Sequence, residues 1–171
     1  MNGTVRRDDR GIWKKALWLV PLVVVGGSLS GIGFGPDEWY QQLEKPSFQP
    51  PSYLFGIVWP ALYTMIALAL ATVLNEPKTP QRDQAVALWV IQLVLNFAWS
   101  YVFFGAKAID IAQWHLLAIL IFAALAAGRF YRIRPLAGWL MVPYLMWLIF
   151  AYTLNSAIVD LNPGVAQPLF G

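Results

Sequence analysis

Cysteine is absent from the 171 residues, histidine occurs once, and charged residues make up only 12%. Without a thiol there is no disulfide, no thiolate metal site and no cysteine nucleophile. One histidine supplies too few ligands for a zinc, copper or iron–sulfur centre. Acids and bases are missing from the interior of every long apolar stretch. That removes the buried relay of a proton- or ion-coupled transporter. No GxSxG, HExxH or P-loop signature occurs. Asp37, Glu38 and Glu44 share one polar segment, with nothing that reads as a paired acid and base. Conventional hydrolysis or group transfer is therefore not expected. No internal repeat is evident, which counts against an inverted-repeat transporter.

What the chain has in quantity is apolar surface. Hydrophobic residues reach 58% and the mean hydropathy is +0.55, whereas soluble domains carry about a quarter charged residues. Five uncharged runs, 16–36, 46–75, 84–106, 111–128 and 135–159, each approach or exceed the length of a membrane span. They predict helices near 14–34, 54–75, 85–105, 110–130 and 136–158, a single all-α membrane domain. Helices suit hydrocarbon because they satisfy their own backbone polar groups.

Basic residues set the orientation. Arg6, Arg7, Arg10, Lys14 and Lys15 precede the first predicted helix, Lys78 and Arg82 follow the second, and Arg129, Arg132 and Arg134 follow the fourth. All ten fall on one side, against Lys45 and Lys107 on the other. In an inner membrane the positive-inside rule puts the N-terminus in the cytoplasm. In an outer membrane the rule assigns no compartment. Ser28-Leu29-Ser30 imitates a signal-peptidase site, but the apolar pattern continues through Ile32 and Phe34, so retention as a helix is expected. Gly27, Gly31 and Gly35 recur at spacings of four and read as a close-packing seam, as do Ala123 and Ala127. The tail from Asn162 to Gly171 reads as irregular.

The stretch 39–63, WYQQLEKPSFQPPSYLFGIVWPALY, joins the first two predicted helices. Pro46, Pro50 and Pro51 forbid a regular helix where they stand. The stretch nevertheless holds Trp39, Tyr40, Phe48, Tyr53, Phe55, Trp59 and Tyr63, more ring surface than a solvated connector needs. It is expected to form a stiff lid or wall over 35–53, with Asp37, Glu38 and Glu44 able to meet Lys45 as a latch. Helical spacing supplies opposing walls. Gln92, Asn96, Trp99 and Phe103 form one stripe. Tyr144, Trp147, Ala151, Leu154 and Ile158 form another, with Asn155 beside it, and Phe55, Trp59 and Tyr63 a third. Each stripe combines large rings with a group able to hydrogen-bond. Such faces serve either as helix contacts with amides as polar glue or as the lining of a pocket for a flat apolar ligand. The residues alone leave both open.

Trp13, Trp18, Trp89, Trp114 and Trp139 fall near predicted span ends and read as an interfacial belt. His115 is the one titratable side chain inside a span, a poor candidate for haem ligation without a second ligand. Lys107 and Asp110 read as solvated turn charges, Asp110 suiting a helix start.

The 39–63 block, LNFAWSYVFFGAK at 95–107 and VPYLMWLIFAYTLNSAIVDLN at 142–162 resemble the TspO/MBR family in order and spacing over nearly the whole chain. The resemblance implies a five-helix bundle, often a homodimer, with a pocket beneath the first loop. Its members bind porphyrins such as protoporphyrin IX and haem, and many bind sterols or isoquinoline and benzodiazepine ligands. Bacterial members are tied to tetrapyrrole regulation and stress responses, and some promote light-dependent porphyrin breakdown. Pocket positions carried over are Trp39, Phe48, Trp59, Asn96, Trp99, Trp147, Ala151 and Leu154. Trp39 and Trp147 match tryptophans tied to porphyrin chemistry, and Ala151 a small-residue position linked to ligand affinity. The sterol motif of animal members is incomplete here, because no basic residue follows Tyr152 closely. Ile111 stands where some relatives have tryptophan, and His115 where they have an acid.

Three functions follow as expectations. The first is a membrane receptor or carrier for porphyrin or haem, with no cofactor required and no nucleic-acid partner. The second is a light-dependent porphyrin-degrading enzyme. The third is a structural or signalling partner that assembles through the glycine or alanine seam. The ligand site expected comprises Trp39, Phe48, Phe55, Trp59, Tyr63, Gln92, Asn96, Trp99, Phe103, Trp147, Ala151 and Leu154.

Overall fold

The computed structural model describes residues 9–165. Arg6, Arg7 and the end of the tail lie outside them. Within that range the chain forms α1 (Arg10–Gly33), α2 (Glu38–Gln42), α3 (Ser52–Leu74), α4 (Pro80–Ser100), α5 (Ile109–Ile133) and α6 (Pro135–Leu161). A π-helical turn, Tyr101–Gly105, continues α4. Five helices, all but α2, are long and apolar enough to cross a membrane, as their uncharged runs predict.

Local chemistry explains where the helices start. Thr79 caps α4 by accepting the Arg82 amide at 3.2 Å, and Pro80 occupies the first turn, where its missing N–H costs nothing. Pro135 does the same for α6. The short α2 escapes the expectation of an irregular loop because it ends before the prolines, and Asp37 caps it by accepting the Tyr40 amide at 3.0 Å. Pro21, Pro60 and Pro143 lie inside helices. The carbonyl of Pro60 accepts the Thr64 hydroxyl at 2.8 Å.

The spans pack in the circuit α1, α3, α6, α5, α4 and back to α1. Small residues allow close approach: Ala67, Ala71, Ala85, Ala123, Ala126 and Ala137 are fully buried. Two glycines are required by such approaches. A Cβ on Gly27 would fall on the Tyr63 ring, and one on Gly138 would meet the Tyr131 backbone across the α5–α6 turn. Ala123 and Ala127 are covered by the chain's own helices, and Gly27 packs against its own Tyr63. Gly31, the next residue of the glycine series, is exposed with open space around it.

Buried side chains fall into two clusters. The larger fills the basic end, from Ile12 and Leu19 on α1 through Ile66 and Leu70 on α3 to Phe130 and Met141. The smaller gathers Leu43, Val102, Phe103, Ile109, Leu154 and Ile158 at the loop end. Trp89, expected in the interfacial belt, is 3% exposed and belongs to the larger core. Its neighbours on adjacent helices, which a single-helix reading cannot supply, turn it inward. Trp13, Trp18, Trp114 and Trp139 are exposed, as an outer belt requires.

On the basic face Arg134 ties three elements, meeting Asp9 at 2.9 Å and Glu76 at 3.3 Å. The hydrogen bond to Asp9 leads in holding this guanidinium above its ordinary pKa. Arg82 donates to the Glu76 carbonyl at 2.8 Å, and Lys15 to Asn75 Oδ1 at 3.0 Å.

Candidate functional site

Between the two clusters the bundle is hollow. A cavity of about 550 Å³ lies under the α1–α3 connection, within the size range of small-molecule sites. Its polar end is a four-residue chain of hydrogen bonds. Tyr63 Oη donates to Asn96 Oδ1 at 2.7 Å, Asn96 Nδ2 donates to Tyr144 Oη at 3.0 Å, and Tyr144 Oη donates to Gln92 Oε1 at 2.7 Å. The chain links α3, α4 and α6, and only Tyr63 and Asn96 reach the lining.

Aromatic rings make the walls. On the α3–α6 side Phe55 and Trp59 pack edge-on against Trp147, with centroids 5.7 and 6.4 Å apart. Tyr63 lies 5.4 Å from Trp59. On the α4 side Trp99 and Phe103 are 5.0 Å apart, and Phe103 and Phe104 4.7 Å. Trp99 Nε1 donates to the Ala112 carbonyl at 3.2 Å, which fixes its ring against α5. The π turn brings both Phe103 and Phe104 to the lining, and such turns recur at functional sites. Ala151, Leu154 and Asn155 complete the α6 wall. Asn155 Nδ2 donates to the Ile109 carbonyl at 2.8 Å. Asn155 Oδ1 and Trp147 Nε1 are buried without a partner among the described residues. Among the described residues none that lines the cavity carries a charge.

Nine of the twelve expected residues line this space: Phe55, Trp59, Tyr63, Asn96, Trp99, Phe103, Trp147, Ala151 and Leu154. Trp39, Phe48 and Gln92 do not. Gln92 shares the Asn96 stripe but is fully buried and engaged by Tyr144, so it supports the site from behind. Phe48 is 48% exposed and packs edge-on against Phe150. Trp39 packs on Phe103 at 6.4 Å, with Lys107 Nζ 5.5 Å from its ring. The connection contributes Tyr40 and Gln49 to the lining instead. Burial raises the Tyr40 phenol above its ordinary pKa, against the pull of its hydrogen bond with Gln49, so it stays neutral at physiological pH.

The lid is held differently from the expected latch. Lys45 donates to the Gln41 and Leu43 carbonyls at 3.0 and 2.9 Å rather than to the carboxylates. Asn162, which ends α6, accepts the Glu44 amide and donates to the Glu44 carbonyl, both at 2.9 Å. Lys107, expected as a solvated charge, pairs with Asp37 at 3.8 Å. His115 Nε2 meets the Leu95 carbonyl at 2.9 Å across α4 and α5 and is not part of the lining. Sequence spacing gave no sign of Tyr40, Gln49, Phe104 or the α1 residues Ser28 and Ile32 in this lining. The glycine series along α1 and just beyond it was the one hint, since Gly27, Gly31 and Gly35 all border the cavity.

A model of the TspO/MBR family matches residues 19–160. The chain belongs to the TspO/MBR family. Every residue lining the cavity falls inside the matched range. The chain is 41% identical over 157 residues to the tryptophan-rich protein TspO of Chlorobaculum tepidum, covering 91% of this chain and 99% of that one. It is 35% identical to the tryptophan-rich sensory protein of Cereibacter sphaeroides, over 86% and 92% of the two chains. It is 38% identical to the human translocator protein over 128 residues, 74% and 76% of the two. Family membership and five spanning helices make it an integral multi-pass membrane protein.

Proposed function

We propose that the chain is a membrane receptor or carrier whose cavity binds a porphyrin or haem. The supporting observation is an uncharged space of about 550 Å³ between two aromatic walls, with polar groups confined to a few points. A flat macrocycle can stack on the Trp59–Trp147 and Trp99–Phe103 walls. Burial of its apolar area contributes about 25 cal/mol per Å² without metal ligation. Its carboxylates would lie toward the span ends, near the membrane surface, because nothing in the described lining can neutralise them. The sensory and translocator names of the relatives agree with a ligand-responsive or ligand-carrying role.

The test is protoporphyrin IX titration of the purified protein, read by porphyrin absorbance. Ala151→Phe fills the α6 wall and should weaken binding by about tenfold or more, roughly 1.4 kcal/mol. Trp39→Phe should matter much less. Unchanged binding in the Ala151 variant removes this site from consideration.

A second reading is light-dependent breakdown of the bound porphyrin, with dioxygen as oxidant. It is favoured by three redox-active indoles, Trp59, Trp99 and Trp147, all bordering the same space. Illuminated complex that bleaches no faster than free porphyrin rejects it.

A further inference from the structure

The walls of the cavity differ in what lies behind them. Asn96, Phe103, Leu116, Leu154, Asn155 and Ile158 are buried, so α4, α5 and α6 close their sides. The loop end is held down by both Glu44–Asn162 hydrogen bonds, and Leu43 beneath it is 6% exposed. The lining from α1 and α3 is different. Ile32 is 80% exposed, and Gly31, Ser52 and Gly56 are exposed as well, although all four border the cavity. A Cβ built on Gly31 or Gly56 meets nothing within 4 Å. A residue that borders an interior space and is also exposed outside marks where the wall is breached.

The breach faces hydrocarbon. Gly56 stands four residues after the start of α3 and Gly31 two before the end of α1, at most ~6 Å of helix rise from the span ends. Around it Leu29, Tyr53 and Ile57 are exposed at 62%, 68% and 63%. No charged residue occurs within 16–36 or 46–75. Exposed apolar surface of this kind is normal against lipid and costly against water.

We infer that the cavity opens sideways into the bilayer, between the last turns of α1 and the first turns of α3, and that it takes its ligand from molecules dissolved in the membrane. This rests on the cavity being a ligand site, and not on the ligand being a porphyrin. The glycines at the mouth keep it open: side chains at 31 and 56 would project into it.

The absence of cysteine provides a direct test. Ala151→Cys places a single thiol on the far wall of the cavity, in protein reconstituted into phosphatidylcholine vesicles. N-(1-pyrenyl)maleimide dissolved in the bilayer should label it. A sulfonated methanethiosulfonate in water should label it slowly, and each reagent is normalised to its own rate on an exposed reference thiol. Adding Gly31→Phe with Gly56→Phe should slow pyrene labelling by about tenfold, a barrier increase on the order of 1.4 kcal/mol. Adding Gly33→Phe instead should leave the rate unchanged. That glycine is also exposed with open space around it, yet lies outside the lining. Leu29→Cys, on the lipid-facing side of α1, reports whether the phenylalanines alter reactivity in general. Equal labelling with and without the paired phenylalanines, or faster normalised entry of the aqueous reagent, overturns the lateral mouth. Protoporphyrin titration is read separately, so either conclusion can fail without the other.

Discussion

Tyr144 shows how much of the site rests on single hydroxyl groups. It accepts from Asn96 and donates to Gln92 while fully buried, so Tyr144→Phe strands a donor and an acceptor together. Tyr63→Phe strands only Asn96 Oδ1. Hydrogen bonds between membrane helices contribute about 0.6–1.7 kcal/mol each. The Tyr144 variant should therefore lose about twice the stability of the Tyr63 variant, measured by unfolding in detergent. Equal losses would mean that the chain of bonds is not shared as described. Gly27 supplies a second case. Its Cα lies against the Tyr63 ring, and the hydroxyl of that ring is held by Asn96, so the ring cannot yield. Gly27→Ala should cost about 1–3 kcal/mol by overpacking, whereas Gly31→Ala, with open space around it, should cost far less. The same detergent unfolding series decides this. Asn96 was legible from its stripe because amides facing rings within a span need partners. Gln92 shares that stripe, and only the placement of Tyr144 on another helix separates a lining amide from one behind it.

Elements carry the next level of organisation, and the α1–α3 connection shows where pattern reading stops. Its prolines and rings predict a stiff cover, and in the structure the connection lends Tyr40 and Gln49 to the cavity lining. Which rings face inward depends on α2, a five-residue helix whose turn presents Tyr40 to the cavity and leaves Trp39 to pack against Phe103 and Lys107. The π turn acts similarly on α4, adding Phe104 to a lining that regular helical spacing assigns to Phe103 alone. Short irregular segments follow tertiary contacts, which periodicity does not encode. The cover itself is pinned by Asn162, whose side chain completes two hydrogen bonds to the Glu44 backbone. Each such bond contributes about 0.5–1.5 kcal/mol. Asn162→Ala should therefore speed amide hydrogen exchange across 43–49 by about tenfold, with α3 unaffected. Lys107→Ala removes a partly exposed pair with Asp37 at 3.8 Å, an interaction of about 0–1 kcal/mol, and a contact of the ammonium with the Trp39 ring at 5.5 Å, about 0.5–1 kcal/mol, and should change exchange less. If the order is reversed, the Lys107 contacts hold the lid and Asn162 does not.

At the scale of the whole molecule, the asymmetry between the two ends of the bundle links fold to orientation. The five spans were legible because apolar runs of that length have few alternatives. The circuit in which they pack was not, since each helix presents apolar residues all round. The basic end is filled by the larger core and braced by Arg134, which joins Asp9 before α1 to Glu76 after α3 from its place at the start of α6. The opposite end is hollow, and among the described residues its cations are Lys45 and Lys107. Eight of the ten described basic residues stand at the filled end, so in an inner membrane the positive-inside rule predicts that end in the cytoplasm and the cavity in the outer half of the membrane. Two single-cysteine variants check this in cells that insert the protein into a bacterial inner membrane. Glu38→Cys, exposed on α2, should react with a membrane-impermeant maleimide on intact spheroplasts. Lys78→Cys, exposed between α3 and α4, should react only after permeabilisation. Both substitutions remove one charge and touch neither core cluster, so the charge balance that sets the orientation barely changes. The opposite labelling pattern would put the cavity on the cytoplasmic side, where any ligand drawn from the bilayer would come from the inner leaflet.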